Sequence, residues 1–240
     1  MIPKIIHYCW FGGNPLPSNV KKLISTWRKY NPDYEIVEWN ESNFDINQNQ
    51  YCKEAYESKK WAFVSDYARL KVLYDVGGIY MDTDVEVCKP FDDLLEYNAW
   101  SGFESEKQIS TGTIAACREN EWIGYLLKYY DDVNFIKPDG SLDMTTNVVT
   151  ITRITEEKYD IKLNNTYQIF GDNYVLFPFE YLCAKSWRTG KVMRSKKTYT
   201  IHHFSGSWQS STSKIKKYIR ICLISIIGED CFEYVKKLVW

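Results

Sequence analysis

Four charged residues, Asp66, Arg69, Asp82 and Asp84, stand in apolar company within residues 61–87, at spacings that suit phosphate and cation chemistry. Place residues 61–76 on a helical wheel at about 100° per residue, and Ala62, Phe63, Leu70, Leu73 and Tyr74 share one arc with Asp66 in its middle. Arg69 lies at the edge of that arc, while Lys71 and Asp75 fall on the far side, where solvated charges belong. A carboxylate pointing inward is costly unless it is paired or has a chemical task. Two readings therefore stand for Asp66 and Arg69: a structural ion pair, or part of a site. Beyond Gly77-Gly78, a helix stop that tolerates positive φ, the pattern changes to period two. Ile79, Met81, Val85 and Val87 take one face of an expected strand, and Tyr80, Asp82, Asp84 and Glu86 the other. Carboxylates at i and i+2 of a strand are about 6.5–7 Å apart. One can ligate a hard cation while the other holds a water or a hydroxyl, which suits Mg²⁺ or Mn²⁺ shared with substrate phosphates. A bare Asp-x-Asp is common by chance; a helix, a double glycine and an apolar strand start ahead of it are not.

The elements that must position these groups read as an α/β chain. Residues 3–10 form a short apolar strand, followed by a loop containing Gly12-Gly13, the place where an open α/β sheet receives a nucleotide. Ser18 is expected to cap a helix with Val20, Leu23, Ile24 and Trp27 on one face. A strand over 34–39, a polar loop over 40–50 and a helix over 51–60 lead into the central block. This order predicts an α/β fold with a mainly parallel central sheet flanked by helices. Further strands are expected over 100–104 and 109–117, where Ser110 and Thr111 are either pocket-lining or ordinary turn residues. Asn147 opens a helix as a cap or as a ligand, and residues 170–189 line an acceptor groove or form a packed excursion. His7, between apolar neighbours, reads as structural.

The stretch SDYARLKVLYDVGGIYMDTD, residues 65–84, resembles the signature of the DXD-containing glycosyltransferases of sugar-transferase family 32. Fungal Golgi mannosyltransferases and many bacterial capsule and lipopolysaccharide enzymes belong to that family, and the glucosylating bacterial toxins carry a related pattern. The resemblance implies a GT-A type nucleotide-sugar-binding fold, a divalent metal and transfer with retention. It also implies that Trp10, which on its own reads equally as a core ring at a strand end, stacks on the donor base. A His-x-x-Gly completes the metal site in related retaining transferases, and His203-Phe204-Ser205-Gly206 has that spacing, so His203 is expected there rather than His202. Ser207 and Trp208 match toxin residues that reach the metal or phosphate. On this reading Asp84 and His203 hold the ion, and Asp82 binds it through water or binds the ribose. Asp66 and Arg69 hold the donor sugar, and Tyr80 assists at the phosphate or ribose. An imidazole ligand favours Mn²⁺ over Mg²⁺. A UDP-hexose donor and a glycan or lipid-linked oligosaccharide acceptor follow from the same resemblance. A nucleotide-sugar hydrolase and a non-catalytic nucleotide-sugar-binding partner of a biosynthetic complex are the alternatives.

Composition bounds the rest. A chain of 240 residues is expected to form one domain over 1–213, with a helical tail over 214–240. The formal net charge of -1 offers no global field for nucleic acid. Seven scattered cysteines without a Cys-x-x-Cys pair argue against zinc and for reduced thiols in the cytoplasm. Neither a signal-peptide pattern nor an apolar run of ~18 residues is visible. The tail sets Lys214, Lys216, Lys217 and Arg220 beside residues 221–227, which suits peripheral contact with the inner membrane or a helix docked on the core.

Overall fold

The computed structural model describes residues 1–206, 211–228 and 231–232. In chain order the elements are β1 (Ile5–Cys9), α1 (Ser18–Tyr30), β2 (Glu35–Trp39), α2 (Gln50–Glu57), α3 (Trp61–Val76), β3 (Gly78–Met81), β4 (Val85–Val87), β5 (Ala99–Ser105), β6 (Gln108–Ile109) and β7 (Thr113–Ala116). There follow α4 (Glu121–Lys128), α5 (Asn147–Lys158), β8 (Gln168–Phe170), β9 (Tyr174–Phe177), the single turn α6 (Phe179–Leu182), β10 (Thr200–His202) and α7 (Ser211–Ile227). The main sheet runs β2-β1-β3-β7-β5-β9-β8, with β6 paired to β5. Its β2-β1-β3 end is parallel, as is β5 with β9, and β7 enters antiparallel between β3 and β5. This is the expected α/β architecture, with the parallel part where a nucleotide-binding crevice forms beyond the strand ends.

Burial explains the layering. β1 is buried along nearly its whole length because helices cover both faces of the sheet. One apolar cluster, including Phe63, Leu70, Leu73, Trp122 and Ile151, fills the space under α2 to α5. The other, including Ile6, Ile24, Trp27, Val85 and Trp100, lies under α1 and α6. α1 begins at Ser18 itself with Pro17 in the cap position, so the expected serine cap is replaced by proline, whose fixed φ suits a helix start.

The α3–β3 corner depends on its two glycines. Gly77 and Gly78 have φ of 75° and 110°, and a Cβ on Gly78 would lie 2.7 Å from the Ile5 carbonyl oxygen and 2.8 Å from His7 Nε2. His7 ties this corner to the sheet. Its Nδ1 accepts from Trp39 Nε1 at 3.1 Å, which leaves Nε2–H to donate to the Gly77 carbonyl at 2.7 Å. Burial lowers this imidazole to about 4, so it stays neutral.

One expectation needs correction. Residues 79–87 form two strands rather than one. The Asp82 amide donates to Gly112 O at 2.8 Å and the Val85 amide to Asp82 O at 3.0 Å, which turns the chain out of the main sheet. β4 then pairs antiparallel with β10 in a separate two-stranded sheet. Trp27 fastens it by donating from Nε1 to Val85 O at 2.8 Å. Val85 and Val87 keep their apolar face because they join the cluster under α1, so alternation alone could not reveal the break.

Candidate active site

A cleft of about 1280 Å³ opens beyond the C-terminal ends of β1 and β3. Its walls include Trp10 from the loop after β1, Asp66 and Arg69 from α3, Tyr80, Asp82 and Asp84 around the β3–β4 turn, and His202 from β10. The i, i+3 spacing on α3 aims Asp66 and Arg69 the same way, and both are buried. Arg69 Nη2 donates to Asp66 Oδ1 at 2.9 Å, Nη1 donates to Thr111 O at 2.8 Å and lies 3.2 Å from Asp82 Oδ1, and Nε donates to Ser65 O at 3.2 Å. Its guanidinium also lies 4.7 Å from the Tyr80 ring centre, and the Tyr80 hydroxyl donates to Asp82 Oδ1 at 3.1 Å. Burial raises the Asp66 carboxyl to about 6 although Arg69 opposes the shift.

The β3–β4 turn and β10 bring Asp82, Asp84 and His202 together, with ligand atoms all within 4.8 Å of one another. His202 Nε2 lies 3.1 Å from Asp84 Oδ1 and 3.9 Å from Asp82 Oδ2. Asp84 Oδ2 accepts the Ser205 amide at 2.7 Å. Burial works against charge on Asp84, but His202 beside it and the Ser205 amide outweigh that and hold the carboxyl well below the usual range. His202 responds in kind: burial disfavours its charge, and Asp84 more than offsets this and raises it well above an ordinary imidazole. The backbone crowds the site closely. A Cβ on Gly112 would stand 2.8 Å from His202 Cε1 and 3.2 Å from Asp82 Oδ2. Two carboxylates and one imidazole nitrogen fit a divalent cation of the Mn²⁺ type.

The histidine here is His202, not His203. Residues that alternate along a strand point to opposite faces, and the β10 register (Thr200–Val87, Ile201–Glu86, His202–Val85) turns His202 towards the aspartates. The His203 ring lies beside Glu86, with Nε2 2.9 Å from its Oε2. Replacing His202 by Ala is expected to remove Mn²⁺-dependent thermal stabilisation and lower turnover by about 10²-fold. His203→Ala should leave both within a few-fold. Equal losses in the two variants, or the reverse order, would refute this placement.

Trp10 is half-buried on the cleft wall, its Nε1 donating to Asn14 O at 2.6 Å. Ser207 and Trp208 lie outside the described residues. Thr111 lines the cleft, while Ser110 is buried at the end of the adjoining hairpin. Three cleft residues were not resolved by sequence reasoning. Asn147, open between cap and ligand, begins α5, is buried, lines the cleft, and lies close enough to Asp66 for its amide to favour the carboxylate. Glu104 ends the apolar run of β5 in the cleft, and burial raises it to about 7 with His202 opposing. Trp61 starts α3 against the Gly12 backbone. A single acid at the end of WSGFE was the only sequence signal for Glu104, and nothing distinguished Trp61 from the other tryptophans.

Known proteins are similar to part of this chain. Residues 17–100 match the family described as "Glycosyltransferase sugar-binding region containing DXD motif". Inositol phosphoceramide mannosyltransferase 3 of Schizosaccharomyces pombe is 30% identical over 126 residues, covering 51% of this chain and 35% of that protein. Subversion of eukaryotic traffic protein A of Legionella pneumophila subsp. pneumophila is 29% identical over 121 residues, 39% of this chain and 19% of that protein. The chain thus spans well under two thirds of either relative. Among solved structures, the PaToxG glycosyltransferase superposes with a TM-score of 0.50 at 20% identity, covering 65% of this chain and 70% of that one. The fold is therefore that of the GT-A glycosyltransferases.

Proposed function

We propose that the chain transfers a hexose from a nucleotide sugar to a glycan acceptor, with retention of anomeric configuration. The observation that carries this reading is the convergence of Asp82, Asp84 and His202 with the buried Asp66–Arg69 pair on one cleft at the nucleotide end of the sheet. Asp82, Asp84 and His202 would hold Mn²⁺ or Mg²⁺. Such an ion supplies Lewis-acid neutralisation of the charge that develops on the diphosphate leaving group. Asp66 accepts from donor-sugar hydroxyls, and the Asn147 amide beside it offers both a donor and an acceptor. Arg69 fixes Asp66 and Asp82 from beneath and lends positive potential towards the phosphates. Tyr80 orients Asp82 through its hydroxyl.

Two finer assignments have narrower support. Uridine as the base rests on Trp10 at the cleft wall and on the resemblance to the glucosylating toxins. A role in surface polysaccharide or lipopolysaccharide synthesis rests on the resemblance of residues 65–84 to capsule and lipopolysaccharide enzymes. We place the enzyme in the cytoplasm on its scattered, odd-numbered cysteines.

Thermal melting with nucleotides and divalent ions tests the donor. UDP with Mn²⁺ should raise the melting temperature by several degrees, and UDP-hexose should release sugar slowly. A larger rise with GDP would overturn the uridine assignment. Sugar release that no glycan acceptor suppresses would replace the transferase reading with a hydrolase.

A further inference from the structure

We propose that residues 185–197 and the exposed face of α7 form a docking surface for a membrane carrying anionic lipid, with the cleft opening at its edge. Two independent features carry this, and neither involves the donor assignment. The first is charge. Between Glu180 and Glu229 there is no Asp or Glu, yet ten Lys and Arg, so the remainder of the chain holds 20 Lys and Arg against 31 Asp and Glu. The near-neutral total therefore conceals a strongly cationic segment. Lys191, Arg194, Lys196 and Lys197 are exposed, with Lys197 also 3.3 Å from Glu180.

The second feature is an apolar stripe on α7. Ile215, Ile219, Cys222, Leu223 and Ile226 recur at helical spacing on one exposed face, with Tyr218 at its margin. Ile226 is 77% exposed and Tyr218 68%. The opposite side of the helix is spoken for. Ile224 is buried, and Lys216 and Arg220 line the cleft. Arg220 also joins α7 to the 185–197 segment, donating from Nη2 to Trp187 O at 3.0 Å with its guanidinium 4.8 Å from the Trp187 ring centre. Trp187, Val192 and Met193 add exposed apolar groups to the same segment. An apolar stripe set among cations complements a lipid surface, where the stripe enters the acyl boundary and the cations meet headgroup phosphates. A soluble polyanion would satisfy the cations and leave the stripe in water. No described helix is long and apolar enough to cross a membrane, so contact is along the surface.

The test is co-sedimentation of the full chain with vesicles of phosphatidylcholine alone or with added phosphatidylglycerol, at low and high salt. Binding is expected only with the anionic lipid, and it should weaken as salt rises. The double variant Ile219→Asp/Ile226→Asp, at exposed positions outside the cleft, should lose at least about tenfold in vesicle affinity with an unchanged melting temperature. Charge reversal at Lys191 or Lys196 should cost about fivefold each. Failure of the full chain to sediment with anionic vesicles at low salt would overturn the proposal. So would an unaffected Ile219→Asp/Ile226→Asp variant whose vesicle binding dextran sulfate abolishes, since that is attraction to any polyanion. Sugar release from the donor in solution is measured on the same variants and should be unchanged, so failure of docking and failure of the transferase reading are separate results.

Discussion

Asp84→Asn is expected to abolish donor turnover in a protein that still folds. Asparagine keeps the shape of the side chain and can accept the Ser205 amide that Asp84 Oδ2 accepts at 2.7 Å. Its amide nitrogen then takes the Oδ1 position 3.1 Å from His202 and can only donate there, so the acceptor on that side is lost. What it removes is the charge that this buried position is built to hold: His202 and the Ser205 amide keep Asp84 ionised far below the pH at which an ordinary carboxyl protonates. Exchanging a carboxylate proposed to hold the cation for a neutral amide should lower turnover by about 10³-fold or more. The fold should lose only about 1–3 kcal/mol, the range for a charge-assisted hydrogen bond. Turnover with UDP-hexose and Mn²⁺, alongside melting curves with and without Mn²⁺, checks both parts. Activity within tenfold of the parent, or an undiminished response to Mn²⁺, would remove Asp84 from the site.

Arg69→Gln carries the largest expected cost in stability. The guanidinium serves Asp66, Asp82, Thr111 O and Ser65 O at once, and glutamine reaches at most two of them. Breaking a buried pair by deleting one partner leaves an uncompensated charge and costs about 3–5 kcal/mol. The loss should depend on pH in a defined sense. Asp66 already titrates near 6, above an unfolded aspartate, because burial outweighs Arg69. Deleting Arg69 moves it higher still. A carboxyl raised in the folded state contributes its full stability below its unfolded value of about 4 and loses it as pH climbs through the folded value. Parent and variant should lose stability in parallel from pH 4 to about 6, and the gap between them should widen from about pH 6 upward in urea titrations. A gap that stays constant above about pH 6, or that narrows there, would mean that Arg69 does not hold the carboxylate.

Much of this was legible in the sequence, for reasons that differ from residue to residue. Asp66 could be placed inward because a 3.6-residue period leaves little freedom to a carboxylate amid Phe63, Leu70 and Leu73. Gly77-Gly78 marked the corner because no side chain fits beside the Ile5 carbonyl. The choice between His202 and His203 was not legible, since it depends on the pairing of β10 with β4, residues more than a hundred apart in the chain. A spacing taken from relatives favoured the wrong neighbour, and a one-residue register difference reverses every side chain on a strand. Asn147 and Glu104 join the cleft only through packing of distant elements, which local pattern does not encode.

The turn at residues 82–84 has a mechanical consequence. Asp82 is anchored to the main sheet through Gly112, whereas Asp84 and His202 belong to the small β4–β10 sheet, which Trp27 holds to α1. The three side chains proposed to hold the cation thus straddle a seam between two sheets joined by a short stretch of chain. Any load that slides the small sheet along α1 spreads Asp84 and His202 from Asp82 together, without breaking a strand pair in either sheet. The spacing of these side chains accordingly depends on how α1 grips β4, through the Trp27 indole on Val85 O and the Thr26 hydroxyl on the Val87 amide, away from the cleft itself.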